Sequence, residues 1–242
     1  MFAKNSDGIR IDYAVEPGPR PVLLVHGFAS NRNLNWFGTG WVRSLIAAGR
    51  GVVTVDLRGH GGSDKPHESS AYSAPIMAAD VLAVLDDAGL DAVDVITYSM
   101  GGHVGAALAE AQPARVRRLV LGGLGGRNPF AHAGPELLHR VVLDGHGATD
   151  RMMADVARLV TTPGNDRAAL VACASGMTGA GLVRRPPVPT QLIAGDADGI
   201  ASDAAELAAR LGLPFVAILG RTHLTAVTAT AMKSAALEFL AA

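Results

Sequence analysis

Three residues far apart in the chain carry side chains that can work as one unit: Ser99, Asp198 and His223. A serine hydroxyl is a poor nucleophile at neutral pH. It needs a base to take its proton, and an imidazole serves better when a carboxylate fixes its tautomer and stabilises the imidazolium. Serine, acid, histidine is one of the chain orders in which such a relay is built. Asp196 competes with Asp198 for the acid position; its plainer reading is a carboxylate that caps a turn. The plainer reading of His223 is a buried, hydrogen-bonded histidine.

Ser99 sits in a turn suited to exposing a reactive hydroxyl. The apolar residues 93–96 read as a buried strand, and residues 100–109 as a helix of small residues. A serine held between strand and helix by a glycine-flanked turn is the nucleophile-elbow arrangement, G-x-S-x-G. Here the match is Thr97-Tyr98-Ser99-Met100-Gly101, with Thr97 at the first glycine position. That position must be small, so Thr97 predicts crowding there. The helix N-terminus adds free N–H groups and the positive end of a dipole, both favouring negative charge beside Ser99. The bland alternative is a strand–helix turn with a serine cap.

The elements that must position these groups alternate. Residues 9–15 read as an early strand, with residues 2–4 as its hairpin partner. Residues 22–25, 52–55, 93–96, 116–121, 189–194 and 215–219 are apolar runs of the kind found in strands buried on both faces. Helices are expected over 41–48, 75–88, 100–109, 202–211 and 224–240. Repeated strand–helix units predict an α/β fold with a mostly parallel sheet between helices, and in such sheets ligands sit at the carboxyl ends of the strands. Ser99, Asp198, His223 and the turn His26-Gly27-Phe28 all fall at those ends. Residues 128–185 break the alternation: helical segments around 135–143, 149–160 and 167–174 predict a short helical cap. The expected division is a core of residues 1–127 and 186–242 with residues 128–185 as an insert over the site.

Composition narrows the functional classes. The 242 residues are 49% hydrophobic, enough for one large core. A net charge of −1 offers no basic surface for nucleic acid or an anionic membrane. The single cysteine, Cys173, has no metal-ligand neighbours and reads as a buried apolar thiol. The N-terminus lacks the apolar stretch of a signal peptide, so a soluble, cytoplasmic protein is expected. No cluster has metal spacing, and the glycines of residues 122–126 do not form a dinucleotide loop; neither metal nor cofactor is expected.

These motifs together resemble an α/β-hydrolase-fold enzyme of the compact bacterial esterase type. The residues that carry the likeness are His26-Gly27-Phe28, the run Asp56-Leu57-Arg58-Gly59-His60-Gly61-Gly62-Ser63-Asp64, the Ser99 elbow, Gly195-Asp196-Ala197-Asp198 and Thr222-His223. The resemblance implies Ser99 as nucleophile and His223 as base and then acid. It favours Asp198, third after Gly195, as the triad acid. It also implies an oxyanion hole from the backbone N–H groups of Phe28 and Met100. His26 and His60 become loop scaffolding, and His103 becomes packing. His67, His132, His139 and His146 are expected to be solvated. Arg140, Arg151, Arg158, Arg184 and Arg185 are read as solvated helix faces. Trp36, Phe37 and Trp41 are read as core. The implied reaction is hydrolysis of small to medium, neutral carboxylic esters through an acyl-enzyme. Lactone or C–C bond hydrolysis on the same triad is the first alternative, and a non-catalytic ligand-binding protein of the same fold the second. Dehalogenase and epoxide hydrolase relatives carry Asp where Ser99 stands, which disfavours those activities.

Overall fold

The computed structural model describes residues 1–132, 135–144, 151–179 and 181–242. Its strands are β1 (Phe2–Lys4), β2 (Arg10–Glu16), β3 (Val22–Val25), β4 (Val52–Val55), β5 (Val93–Tyr98), β6 (Val116–Gly122), β7 (Thr190–Gly195) and β8 (Phe215–Ile218). They form one sheet in the order β1-β2-β4-β3-β5-β6-β7-β8. β1 and β2 pair antiparallel, β2 runs antiparallel to β4, and every pair from β4 to β8 is parallel.

Strand periodicity explains the layers. Successive side chains point to opposite faces, so Leu23 and Val25 join one apolar cluster while Val22 and Leu24 join another. Both faces are therefore covered, and β3, β4 and β5 are buried along their length. The helices are α1 (Trp41–Ala47), α2 (Ala74–Asp87), α3 (Met100–Ala111), α4 (Pro129–His132), α5 (Pro135–His139), α6 (Arg151–Val160), α7 (Arg167–Gly176), α8 (Ala204–Leu211), α9 (His223–Ala226) and α10 (Thr230–Ala241). α1 and α10 cover one face of the sheet; α2, α3 and α8 cover the other. Trp36 and Trp41 pack edge-to-face in the first of these layers, ring centroids 5.8 Å apart, and are fully buried. Phe37 is 41% exposed and leaves the core expected for it.

Between β6 and β7 the described residues contain helices and no strand. The segment expected over 135–143 is α5 followed by a π-turn at Arg140–Asp144. The segment expected over 149–160 is α6; residues 149 and 150, and His146, lie outside the described residues.

One expected element is two. The helix predicted over 224–240 breaks at residues 227–229, leaving α9 and α10. Ala229 is extended at φ −69°, ψ 134°. The break frees carbonyls for other partners: Val227 O accepts from Trp41 Nε1 at 2.8 Å, a tertiary bond, and Thr228 O from the nearby Lys233 Nζ at 3.1 Å. Hydrophobic spacing carries no sign of such bonds. No helix among the described residues is long and apolar enough to cross a membrane.

Candidate active site

β5 delivers Ser99 to the carboxyl edge of the sheet and α3 starts immediately after it. Ser99 has φ 52° and ψ −123°, a conformation that costs a non-glycine residue about 1–3 kcal/mol. Two backbone hydrogen bonds hold it there: Ser99 N–H donates to Gly122 O at 2.7 Å, and Gly102 N–H donates to Ser99 O at 2.8 Å. Ser99 Oγ caps no helical N–H, which removes the bland reading of the turn and leaves the hydroxyl for another partner.

The crowding predicted at Thr97 is relieved from the helix side. Thr97 Oγ1 donates to Val120 O at 2.9 Å, and its methyl points at Gly105 on α3. A Cβ on Gly105 would stand 2.5 Å from that methyl. The small residue the elbow needs is thus supplied eight positions after Thr97, by Gly105.

The partner of Ser99 Oγ is His223 Nε2, at 3.0 Å. His223 Nδ1 lies 2.9 Å from Asp198 Oδ2 and 3.0 Å from Oδ1. Asp198 Oδ1 also accepts the N–H groups of Ile200 and Ala201, each at 2.9 Å, so the carboxylate is fixed from two directions. Asp198 and His223 are both buried. Asp196 is exposed and accepts the Gly220 N–H at 2.7 Å; it ties the turn after β7 to the turn after β8 and does not reach the imidazole. Of the two carboxylates, Asp198 is the one that turns inward to the imidazole.

Tyr98 was not singled out by sequence. Its hydroxyl donates to His223 O at 2.6 Å, and its ring lies 5.2 Å from the imidazole. Burial pushes the phenol well above its ordinary pKa, so the group remains a donor. Adjacent residues thus hold the histidine loop at two points, Ser99 Oγ at the ring nitrogen Nε2 and the Tyr98 hydroxyl at the backbone carbonyl.

The turn His26-Gly27-Phe28 closes over the same spot. A Cβ on Gly27 would lie 3.1 Å from Ser99 Cβ, so a larger residue there would press the turn against the elbow. The N–H of Phe28 has no acceptor among the described residues, and neither has that of Met100 at the first turn of α3. Two histidines brace the turn. His26 Nδ1–H donates to Gly27 O at 2.8 Å while Nε2 accepts the Leu57 N–H at 3.0 Å. His60 Nδ1–H donates to Arg58 O at 2.9 Å and Nε2 accepts the Ala29 N–H at 3.1 Å. Burial lowers both pKa values, that of His60 to about 3. Arg58 pins the neighbouring loop through two 2.6 Å bonds to Asp80.

Two cavities meet at Ser99. The first, about 20 Å³, lies between Met100, the glycine run at Gly123-Leu124-Gly125, and Phe130 and Val156. The second, about 230 Å³, lies on the histidine side between Asn35, Leu34, His223 and Thr228. Phe28 and Leu159 border both. Cys173 is buried behind Met100, Sγ 3.8 Å from its sulfur, and burial raises its pKa. Arg127 borders the first cavity, but its guanidinium is held by Ser202 at 2.7 Å and Asp203 at 3.7 Å.

The profile of the alpha/beta hydrolase fold family matches residues 20–169, more than half of the chain. The chain belongs to the alpha/beta hydrolase fold family. Among curated relatives it is 37% identical over 121 residues to a 2-hydroxy-6-oxononadienedioate/2-hydroxy-6-oxononatrienedioate hydrolase of Dechloromonas aromatica, covering 47% of this chain and 39% of that protein. It is 31% identical over 119 residues to the 2-hydroxymuconate semialdehyde hydrolase of a Pseudomonas species, covering 49% and 41%. The chain thus spans about two fifths of the length of these relatives. Among solved structures, the enol-lactonase of Burkholderia xenovorans superimposes with a TM-score of 0.75 at 22% identity, covering all of both chains. A thermophilic esterase of Thermogutta terrifontis gives 0.79 at 22%, covering 100% of this chain and 97% of that one. At these identities the structures speak for the fold alone.

Proposed function

We propose that this protein is a serine hydrolase that cleaves small, neutral carboxylic esters through an acyl-enzyme. The observation that carries the reading is the unbroken Ser99–His223–Asp198 relay, with 3.0 Å and 2.9 Å links. Ser99 Oγ attacks the ester carbonyl as His223 Nε2 takes its proton. The N–H groups of Phe28 and Met100 receive the oxyanion, a contribution of a few kcal/mol from each donor. His223 then protonates the departing alkoxide, and Ser99 keeps the acyl group. Water, deprotonated by His223, releases the carboxylate. Because the proton leaves from His223, the alcohol belongs in the cavity that His223 borders, and the acyl group in the one beside Met100.

The measurement is hydrolysis of p-nitrophenyl acetate. Ser99→Ala is expected to lower kcat by about 10⁴-fold or more with unchanged circular dichroism. Full activity in that variant overturns the reading. Labelling of wild-type Ser99 by a fluorophosphonate separates an enzyme from a non-catalytic binding protein.

A second reading, hydrolysis of a C–C bond or an enol lactone on the same triad, draws on the hydrolases named among the curated relatives and on the enol-lactonase among the solved structures. The dienedioate named for the Dechloromonas relative is a dicarboxylate. Here the cation bordering the first cavity, Arg127, is already paired with Asp203, which supports a neutral acyl group. Turnover of a dienedioate or enol lactone 100-fold faster than any simple ester makes the second reading the better one.

A further inference from the structure

We propose that His103 is the end wall of the acyl arm and that its imidazole restricts this protein to short acyl chains. The inference rests on the serine-hydrolase reading above and goes further by naming the acyl class and the residue that sets it.

His103 lies one turn into α3, four residues after Ser99. It borders the first cavity, which holds Ser99 and Met100. It also borders a much larger groove of about 520 Å³ on the far side. That groove continues along α3 at Ala106, Ala107 and Glu110, the positions that helical spacing brings beneath His103. Its opposite bank is Pro75, at the start of α2, and the segment around Val183. His103 thus borders both the space of about 20 Å³ beside the reactive serine and the groove of about 520 Å³.

The chemistry of the two spaces matches an aliphatic chain. The groove is walled largely by alanine, proline, leucine and valine. The charges lie at its far end, where Arg184 pairs with Glu110 at 2.6 Å and Arg185 donates to Gly212 O at 3.2 Å; the stretch next to His103, at Pro75, Ala106 and Ala107, is apolar. On the other side of the ring, 20 Å³ holds little more than one water-sized group. An acetyl methyl fits there, and a longer chain meets the imidazole.

The ring is positioned by packing alone. Among the described residues it makes no hydrogen bond, in contrast to His26 and His60. Burial lowers its pKa to about 4, so at neutral pH it is an uncharged, space-filling plate. Removing it leaves no partner unsatisfied.

The experiment measures how fast methyl p-nitrophenyl alkylphosphonates with ethyl, hexyl or decyl chains on phosphorus modify the full chain. The Ser99 Oγ–P bond forms, the P–O bond to the aryl group breaks, and released p-nitrophenolate gives the rate. The readout is the decyl-to-ethyl rate ratio within each protein, which cancels any loss of folded material. Wild type is expected to give a ratio below about 0.1. His103→Ala, with His103→Ser as a second truncation, is expected to raise it at least tenfold. Adding Ala107→Trp to His103→Ala, which fills the groove beyond the wall, is expected to take the gain away. A wild-type ratio near one overturns the proposal. So does a ratio unchanged by both truncations, or a gain that survives Ala107→Trp. If the ethyl probe fails to modify Ser99 in wild type, the serine-hydrolase reading itself falls. Rapid ethyl labelling with an unmoved ratio sinks the end wall alone.

Discussion

His60 and His223 are both buried histidines placed after strands of one sheet, 1% and 2% exposed, yet they are prepared for opposite ends. Both ring nitrogens of His60 are bonded to backbone: Nδ1–H to Arg58 O and Nε2 from Ala29 N–H. Backbone groups neither gain nor lose protons in the working pH range, so the ring is locked as a neutral brace. Both nitrogens of His223 face side chains, a carboxylate on one side and a hydroxyl on the other. A carboxylate stabilises the imidazolium that forms when the hydroxyl gives up its proton. Burial does not separate the two roles; the chemistry of the partners does. Asp198 and Asp196 repeat the contrast on the acid side, one turned in to the imidazole and one bonded to a surface turn.

The largest expected effect tests that carboxylate contrast. Asp198→Asn should lower kcat for p-nitrophenyl acetate by about 10⁴-fold, because the amide no longer stabilises the imidazolium or selects its tautomer. Asp196→Asn should change it by less than about threefold. Equal losses in the two variants break the assignment.

Next comes the brace. His60→Leu strips the partners from the Ala29 N–H and the Arg58 carbonyl. At about 1–3 kcal/mol for each of the two bared groups, urea unfolding should report a loss of about 2–6 kcal/mol. Assayed below its unfolding range, the same variant should keep kcat within about tenfold of wild type. A collapse of kcat without a loss of stability makes His60 part of the chemistry and ends the comparison.

The same residue leaves a signature in pH. In the folded state His60 takes a proton only near pH 3, whereas an unfolded imidazole does so near 6.5. Between these values the unfolded chain binds the extra proton, so stability falls as pH falls. Above about 6.5 neither state binds it and the effect vanishes. The slope from this one group approaches about 1.4 kcal/mol per pH unit near pH 5. Unfolding curves from pH 7 to 4 should therefore be shallower in pH for His60→Leu by about that amount. An unaltered slope removes the locked-neutral account of His60.

The smallest effect sharpens the elbow. Gly105→Ala should cost about 1–3 kcal/mol, because the new methyl meets the Thr97 methyl. In a Thr97→Ser background, where the hydroxyl to Val120 O is kept and the methyl is gone, the cost should fall below about 1 kcal/mol. Additive losses in the double-mutant cycle mean that the two positions do not share the space.

Much of this was legible because it is local. The continuous apolar runs at β3, β4 and β5 announce strands covered on both faces, since only a doubly buried strand can hide so many adjacent apolar side chains. The Ser99 turn is readable for the same reason, its glycines and short side chains lying within a few residues. The single closing helix was misread because its break is set by Trp41 reaching Val227 O from 186 positions away. Phe37 was misplaced because an aromatic residue in a turn carries no periodicity to show its side. Tyr98 was overlooked because its partner is the backbone of His223, which any residue type supplies.

Residue order by itself determined the alternation of strands and helices, the sheet edge at which ligands sit, and the small set of hydroxyl, acid and imidazole groups that reach it. Those follow from side-chain period and turn chemistry, which act over a few residues. Tertiary structure alone decided which of two neighbouring carboxylates turns inward, that Gly105 makes room for Thr97, and that one histidine borders both a cramped space beside Ser99 and a wide groove. These depend on distances between segments separated by many tens of residues, and packing fixes those distances only once the whole sheet has closed.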